Sequence, residues 1–308
     1  VKKISKCILC CEKLAGTDRK VTDHFCTGKK FDLLICPGCE LIYTSPLPSK
    51  DKIGEFYRFS GYVSHSEKPG NFFQRIYFFI RKIMIKKKIR FIKPHLGDSK
   101  RILDYGSGTG VFLARCIKNN FNAFGYEPDD RAGNIAREKI GSDVMLSLQD
   151  IDNQQLEKFD MVTLWHVLEH IYDLDPAMKR FNRILRDKGM LVLALPNYES
   201  FDASYYKELW GGYDVPRHLY HFNFNAIKVL AKKYGYVLLK ARPLVFDSYF
   251  VSLLSEKYKK NPIFIARAML IGLISNLYGL MGFKPYSSMV YFLKKQETIT
   301  PEMEASEE

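Results

Sequence analysis

The opening of the chain, Val1-Lys2-Lys3-Ile4-Ser5-Lys6, lacks the apolar run that an export signal needs. A reducing, cytoplasmic setting is therefore expected, and there clustered cysteines signal a metal more often than a disulfide. No internal repeat and no KH or RRM signature is present, so nucleic acid is not an expected partner. Acidic residues are missing from residues 71–94, a stretch that carries eight Lys or Arg among many aromatic and aliphatic residues. A disordered chain is excluded, because 46% of the residues are hydrophobic and only 26% are charged. The net charge of +13 favours an anionic partner or surface.

Four of the seven cysteines fall in two pairs, Cys7-x-x-Cys10 and Cys36-x-x-Cys39. Two residues between thiols let both reach one ion from a tight turn, and two such turns complete a tetrahedral zinc site. With four ligands and no open position, this zinc is expected to be structural. Cys11, His24 and Cys26 are weaker candidate ligands nearby. The ribbon is expected to occupy residues 1–48 and to end at Ser45-Pro46-Leu47-Pro48. A helical connector is expected over 49–99.

From residue 101 onward, short apolar runs alternate with amphipathic stretches. Strands are expected at 101–105, 122–127, 144–147, 159–165 and 189–196, with late strands at 236–244 and 288–294. Helices are expected at 111–119, 129–140, 176–186 and 224–234. This alternation predicts a Rossmann-like α/β domain over 100–296 with a parallel sheet covered on both faces. A helical insertion is expected over about 248–284, and an acidic disordered tail over 297–308. Residues 263–283 are apolar apart from Arg267, Ser275, Asn276 and three glycines. That length only just reaches the range of a membrane span, and an in-fold or interfacial helix is preferred.

The central motif is Asp104-Tyr105-Gly106-Ser107-Gly108-Thr109-Gly110, placed between a strand and a helix. Its glycines allow a tight turn and close backbone approach to a ligand. Glu127, at the end of the next strand, is placed to accept hydrogen bonds from a ribose. A dinucleotide fold shares this layout, but Asp104 would oppose a pyrophosphate. The same acid suits the sulfonium and ammonium of S-adenosylmethionine, which is the expected cofactor.

Together, Asp104-x-Gly106-x-Gly108-x-Gly110, Glu127-Pro128, Phe159-Asp160 and Leu168-Glu169-His170 resemble the class I adenosylmethionine-dependent methyltransferases. The resemblance is nearest to a bacterial group that carries an N-terminal four-cysteine ribbon and is associated with sugar and surface-polysaccharide synthesis. It implies a seven-stranded sheet with one antiparallel strand. It also implies that Asp104 and the glycines hold the methionine end, that Glu127 holds the ribose, that Ser147 and Leu148 flank the adenine, and that Trp165 and His166 line the methyl-transfer side.

Methyl transfer to a poorly acidic nucleophile needs a base. His166, Glu169 and His170 follow the fourth strand. A second polar cluster follows the fifth and contains Trp210, Asp214, Arg217, His218 and His221. Its Arg217-His218 resembles the region where sugar C-methyltransferases carry a Glu-His pair, although the Glu is missing. His218, His170, Arg217 and His221 are the candidate catalytic residues, with Arg217 expected to bind a substrate phosphate. The expected reaction is methylation of a sugar or lipid-linked sugar. The alternatives are O-methylation of a quinone or other small aromatic, methylation of ribosomal RNA, and non-catalytic binding of adenosylmethionine. The basic aromatic stretch 72–93 and the apolar stretch 263–283 raise the expectation of peripheral contact with an anionic membrane at its inner face.

Overall fold

A computed structural model describes residues 4–57 and 72–297, with side chains described from residue 79 in the second segment. Residues 298–308 of the expected tail, and residues 58–71 of the expected connector, lie outside the described residues.

In chain order the elements are β1 (Ala15–Thr22), β2 (Lys30–Ile35), β3 (Ile42–Ser45), α1 (Lys50–Ile53), α2 (Phe72–Ile92), β4 (Arg101–Tyr105), α3 (Val111–Ile117), β5 (Asn122–Tyr126), α4 (Asp130–Ile140) and α5 (Leu148–Asp152). They continue with β6 (Phe159–Trp165), α6 (Leu174–Ile184), β7 (Leu185–Pro196), α7 (Phe201–Tyr206), β8 (Tyr220–His221), α8 (Phe224–Lys233), β9 (Tyr236–Pro243), α9 (Asp247–Tyr258), α10 (Phe264–Leu280) and β10 (Ser288–Lys295).

The larger sheet has six strands in the order β5-β4-β6-β7-β10-β9. Strands β5, β4, β6 and β7 are parallel, and β10 runs antiparallel to both its neighbours. The central strands are buried on both faces, which is why β6 reads as an almost unbroken apolar run. Helix α6 shows the complementary pattern. It buries Leu174, Ala177, Met178, Phe181 and Ile184 along one stripe.

The seven-stranded expectation is corrected at one edge. Residues 144–147 contribute only an isolated parallel bridge between Gly125 and Met145. A turn precedes Met145, and Ser147 already caps α5 in a capping box with Asp150. Too little extended chain remains between them to form a strand.

The N-terminal strands form a second sheet, β1-β2-β3, which is extended by β8 from the far half of the chain. Ile42 pairs with His221 and Tyr43 with Tyr220. Cys7, Cys36, Leu41 and Tyr43 belong to the same apolar core as Leu103, Leu164, Leu195 and Tyr291. The ribbon is therefore built into the α/β domain rather than tethered beside it.

Helices α9 and α10 form the expected insertion. Gly272 lets α10 lie directly on α9, since a Cβ there would come within 2.7 Å of the Tyr249 ring. Only Ala268, Ile271, Gly272 and Ser275 of α10 are buried. Among the described residues, no helix is long and apolar enough to cross a membrane.

Candidate active site

The glycine loop leaves β4 and enters α3. All three glycines take left-handed backbone, with φ of 79° at Gly106, 54° at Gly108 and 72° at Gly110. Their surroundings differ. A Cβ at Gly106 would meet the Val167 side chain at 2.5 Å, and one at Gly110 would meet Ala136 at 3.1 Å. A Cβ at Gly108 would meet nothing within 4 Å. Gly106 and Gly110 thus hold the loop against the protein, whereas Gly108 borders open space on the ligand side. The Gly108 N–H donates to Glu127 Oε2 at 2.7 Å, and Asp129 N–H donates to Glu127 Oε1 at 3.0 Å.

Asp104 is buried beneath the loop and accepts from Thr163 Oγ1 at 2.7 Å. Burial raises its carboxyl to about 6, against the opposing hydrogen bond from Thr163 and the nearby Lys88. A cation placed beside it restores the ionised form. A recessed carboxylate, a glycine backbone facing open space and a second carboxylate on the loop suit the cationic and ribose ends of adenosylmethionine. Ser147 caps α5, and Leu148 beside it leaves an exposed apolar side chain next to the loop's sheet edge.

On the other side of the loop, Trp165 packs edge-on against Phe112 and has the Lys88 ammonium 4.4 Å from its ring centroid. Its indole N–H is buried without a hydrogen-bond partner. Lys88 was not legible as a site residue, because it lies inside a run of surface-like lysines. Burial, opposed by Asp104 and Asp247, lowers it to about 8. His166 has left-handed backbone, φ 58°, and its Nε2 lies 3.0 Å from Asp247 Oδ2. Burial pushes its imidazole down, but Asp247 and Glu169 outweigh this and raise it to about 9. Asp247 had no sequence signal. It opens the insertion, far along the chain from the motifs.

Glu169 is 1% exposed and neither carboxylate oxygen has a hydrogen-bond partner. His166 Nδ1 lies 3.6 Å and His218 Nε2 3.9 Å from its Oε1. The net effect of burial, which pushes the acid up, and of these imidazoles, which pull it down, is a lowered pKa. His170 stacks edge-on against His218 with centroids 4.6 Å apart, and burial holds it near 4. The structure thus brings together His166, Glu169, His170 and His218, drawn from two separate sequence clusters.

It does not bring Arg217 or His221 to an open surface. Arg217 is 1% exposed. Its Nε donates to both Asp214 oxygens at 3.0 and 3.1 Å, and its terminal nitrogens reach Asp23 Oδ1 at 3.4 Å and the Phe56 carbonyl at 3.2 Å. A phosphate would have to displace these internal partners. His221 is buried in β8, with Nε2 3.0 Å from Thr44 Oγ1. Both residues seat the segment on the ribbon. Trp210 is likewise internal and donates to Asp202 at 2.7 Å, an acid that also accepts from Ser275 and Ser287.

In the ribbon, Cys7 Sγ lies 3.4 Å from Cys39 Sγ, and Cys10 Sγ 3.2 Å from Cys36 Sγ. One Sγ from each of the four lies within 4.8 Å of the others. These separations are too long for disulfides and the quartet suits one tetrahedral ion. The Cys39 thiol, against the effect of burial and together with the Tyr43 hydroxyl, lowers the Cys7 thiol. Cys11 and Cys26 are exposed outside the quartet, and His24 stacks on Tyr258.

Residues 76–241, more than half of the chain, match the methyltransferase domain family, and the protein belongs to it. Its α/β domain has a Rossmann-like fold. An uncharacterized methyltransferase of Anoxybacillus flavithermus is 28% identical over 33% of this chain and 51% of its own length. A ubiquinone biosynthesis O-methyltransferase of Bradyrhizobium diazoefficiens is 28% identical over 33% of this chain and 42% of its own length. The chain thus spans about half the length of the curated relatives it matches. Among solved structures, the magnesium protoporphyrin IX methyltransferase of Synechocystis superposes with a TM-score of 0.48, at 13% identity over 76% of this chain and 91% of that one. The Haemonchus contortus phosphoethanolamine N-methyltransferase 2 gives 0.45, at 17% identity over 69% and 53%.

Proposed function

We propose that the protein methylates a hydroxyl oxygen of a sugar carried on a lipid-linked intermediate, as in surface-polysaccharide synthesis. The observation that carries this reading is the state of His218. Its Nδ1 lies 2.9 Å from the Gly212 carbonyl, which can only accept, so the hydrogen sits on Nδ1. The Nε2 lone pair then points toward Glu169 at the C-terminal end of β6, where the crevice of such a sheet opens. That lone pair is the group placed to receive the acceptor's proton. Bound adenosylmethionine supplies the electrophilic methyl; Asp104, the loop backbone and Glu127 hold and orient it. The four ribbon thiols hold a structural zinc.

Lipid-borne acceptor chemistry is supported by α10 and its flanks. Leu270, Leu273, Leu277, Leu280 and Phe283 are all at least 45% exposed, and the exposed Lys257, Lys259, Lys260 and Lys284 bracket the two ends of the row. Apolar side chains rimmed by lysines suit an anionic membrane surface. Methylation of a quinone precursor is a second reading, favoured by the named O-methyltransferase relatives.

The test is incubation of the protein with labelled adenosylmethionine and separate membrane and soluble extract fractions. Label should enter a membrane lipid, and hydrolysis should release it on a sugar; release on an aromatic ring selects the second reading. His218→Ala should slow transfer by roughly 10²-fold with adenosylhomocysteine affinity preserved, while Gly108→Arg should abolish that affinity. Label confined to RNA, or cofactor binding without transfer to any fraction, rejects the proposal.

A further inference from the structure

Glu169 presents an unusual arrangement beside the glycine loop. A carboxylate that is 1% exposed has no hydrogen bond to either oxygen and only the His166 and His218 rings nearby, at 3.6 and 3.9 Å, so much of its desolvation cost is not repaid. Such a group signals a missing ligand. The two histidines around it are set in a particular way. His218 Nδ1 lies 2.9 Å from the Gly212 carbonyl, and His170 Nδ1 lies 3.0 Å from the Arg217 carbonyl. Both carbonyls can only accept, so both rings carry their hydrogen on Nδ1 and keep a lone pair on Nε2. Fixing the tautomer through a backbone carbonyl is how metal-binding histidines are oriented. One donor atom from each of Glu169, His170 and His218 lies within 4.8 Å of the others.

We propose that Glu169, His170 and His218 form a mononuclear site for a divalent first-row transition metal. Two imidazoles and one carboxylate are a donor set for zinc, manganese or iron. Bonds of about 2.0–2.2 Å require each donor to move inward by less than about 1 Å. Two segments supply the site: the turn after β6 supplies Glu169 and His170, and the segment before β8 supplies His218; Tyr57 Oη, 2.9 Å from His170 Nδ1, shares the N–H that this nitrogen donates to the Arg217 carbonyl. The site is separate from the thiol quartet in both position and donor type. His218 serves as the proton acceptor only in the metal-free protein; with the ion bound, its lone pair is a ligand. Ion binding is independent of the acceptor's identity.

The experiment is titration of zinc-loaded protein with Mn²⁺, an ion that thiolates bind poorly, followed by loss of the free-ion electron paramagnetic resonance signal. One Mn²⁺ per chain is expected, and dialysis against excess zinc should raise the bound zinc from one equivalent to two. Glu169→Gln and His218→Ala should each weaken Mn²⁺ binding by at least tenfold while ribbon zinc and adenosylhomocysteine binding persist. Should a variant fail to fold, electron spin-echo modulation of the wild-type Mn²⁺ complex still reports directly whether two imidazole nitrogens are coordinated. No Mn²⁺ uptake with zinc staying at one equivalent, binding unchanged in the variants, or an absence of nitrogen coupling overturns the site. A chain that binds Mn²⁺ but labels no membrane lipid keeps the metal site and loses the acceptor reading.

Discussion

The two sides of the crevice are built in different ways. The cofactor side is made of a short continuous loop and one carboxylate on the adjoining strand, and its important groups are backbone atoms: the left-handed glycines and the Gly108 N–H on Glu127. The acceptor side is made of side chains on segments far apart in the chain, held in place by the ribbon. Its segment joins the ribbon sheet through β8, Thr44 Oγ1 reaches the His218 carbonyl at 2.6 Å, and Arg217 spans from Asp214 to Asp23 of the ribbon. The thiol quartet and the proposed acceptor segment therefore share one structural unit. Damage to the ribbon should spread to acceptor chemistry before it reaches cofactor binding.

Removing the ribbon's metal gives the largest expected effect. A structural zinc contributes on the order of 10 kcal/mol to small domains that depend on it. In the double variant Cys36→Ser, Cys39→Ser, the ribbon zinc should be lost, the melting temperature should drop sharply, and methyl transfer should fall to background. Adenosylhomocysteine binding, measured by calorimetry below the new melting point, should survive. If cofactor affinity and transfer disappear together while the sheet stays folded, the division between the two sides is wrong.

A similar contrast governs what could be read from sequence. The strands β4, β6 and β10 and the glycine loop are local, periodic features, and the expected bounds of β4 and β6 coincide with those observed. The thiol quartet was equally legible, because its spacing alone brings pairs of ligands together. The internal partners of Arg217 and His221 could not be read from the sequence for a physical reason. A polar cluster is costly to bury without partners, but partners 194 and 177 residues away satisfy these two from the ribbon. Sequence shows that the groups need partners and does not show which partner is a ligand. Asp247 and Lys88 were missed because each reaches the site from an element with no motif of its own.

Arg217→Ala isolates the seam between ribbon and acceptor segment without touching the zinc. It leaves Asp214 short of its main partner in a buried setting, which costs about 3 kcal/mol for pairs of this kind. Asp23 suffers less, since it still accepts from the Phe25, Cys26 and Thr27 N–H groups and from the Thr27 hydroxyl. Chemical denaturation should show that loss of stability. Transfer should fall while adenosylhomocysteine affinity holds. A variant with wild-type stability and only a raised KM would return Arg217 to the substrate.

The smallest effect is expected where the two sides meet. His166 adjoins Val167, whose side chain lies against Gly106 of the loop; its ring is 3.6 Å from Glu169 and joins the following helix pair through Asp247. Its pKa is raised from 6.5 to about 9, so the folded state binds its proton more tightly than the unfolded state does. The sign follows from linkage: this stabilisation is complete below about pH 6.5 and disappears as pH rises through about 9. With the side chain 34% exposed, solvent screening reduces the contribution to on the order of 1 kcal/mol. For a domain of this size that corresponds to a fall of roughly 2–4 °C in melting temperature between pH 6.5 and pH 9.5. His166→Gln should melt at the lower temperature at pH 6.5 and lose most of that pH dependence, because an amide keeps some hydrogen bonding but cannot carry the charge. If the variant and the wild type descend in parallel over this range, His166 is not the ionising link between the two sides.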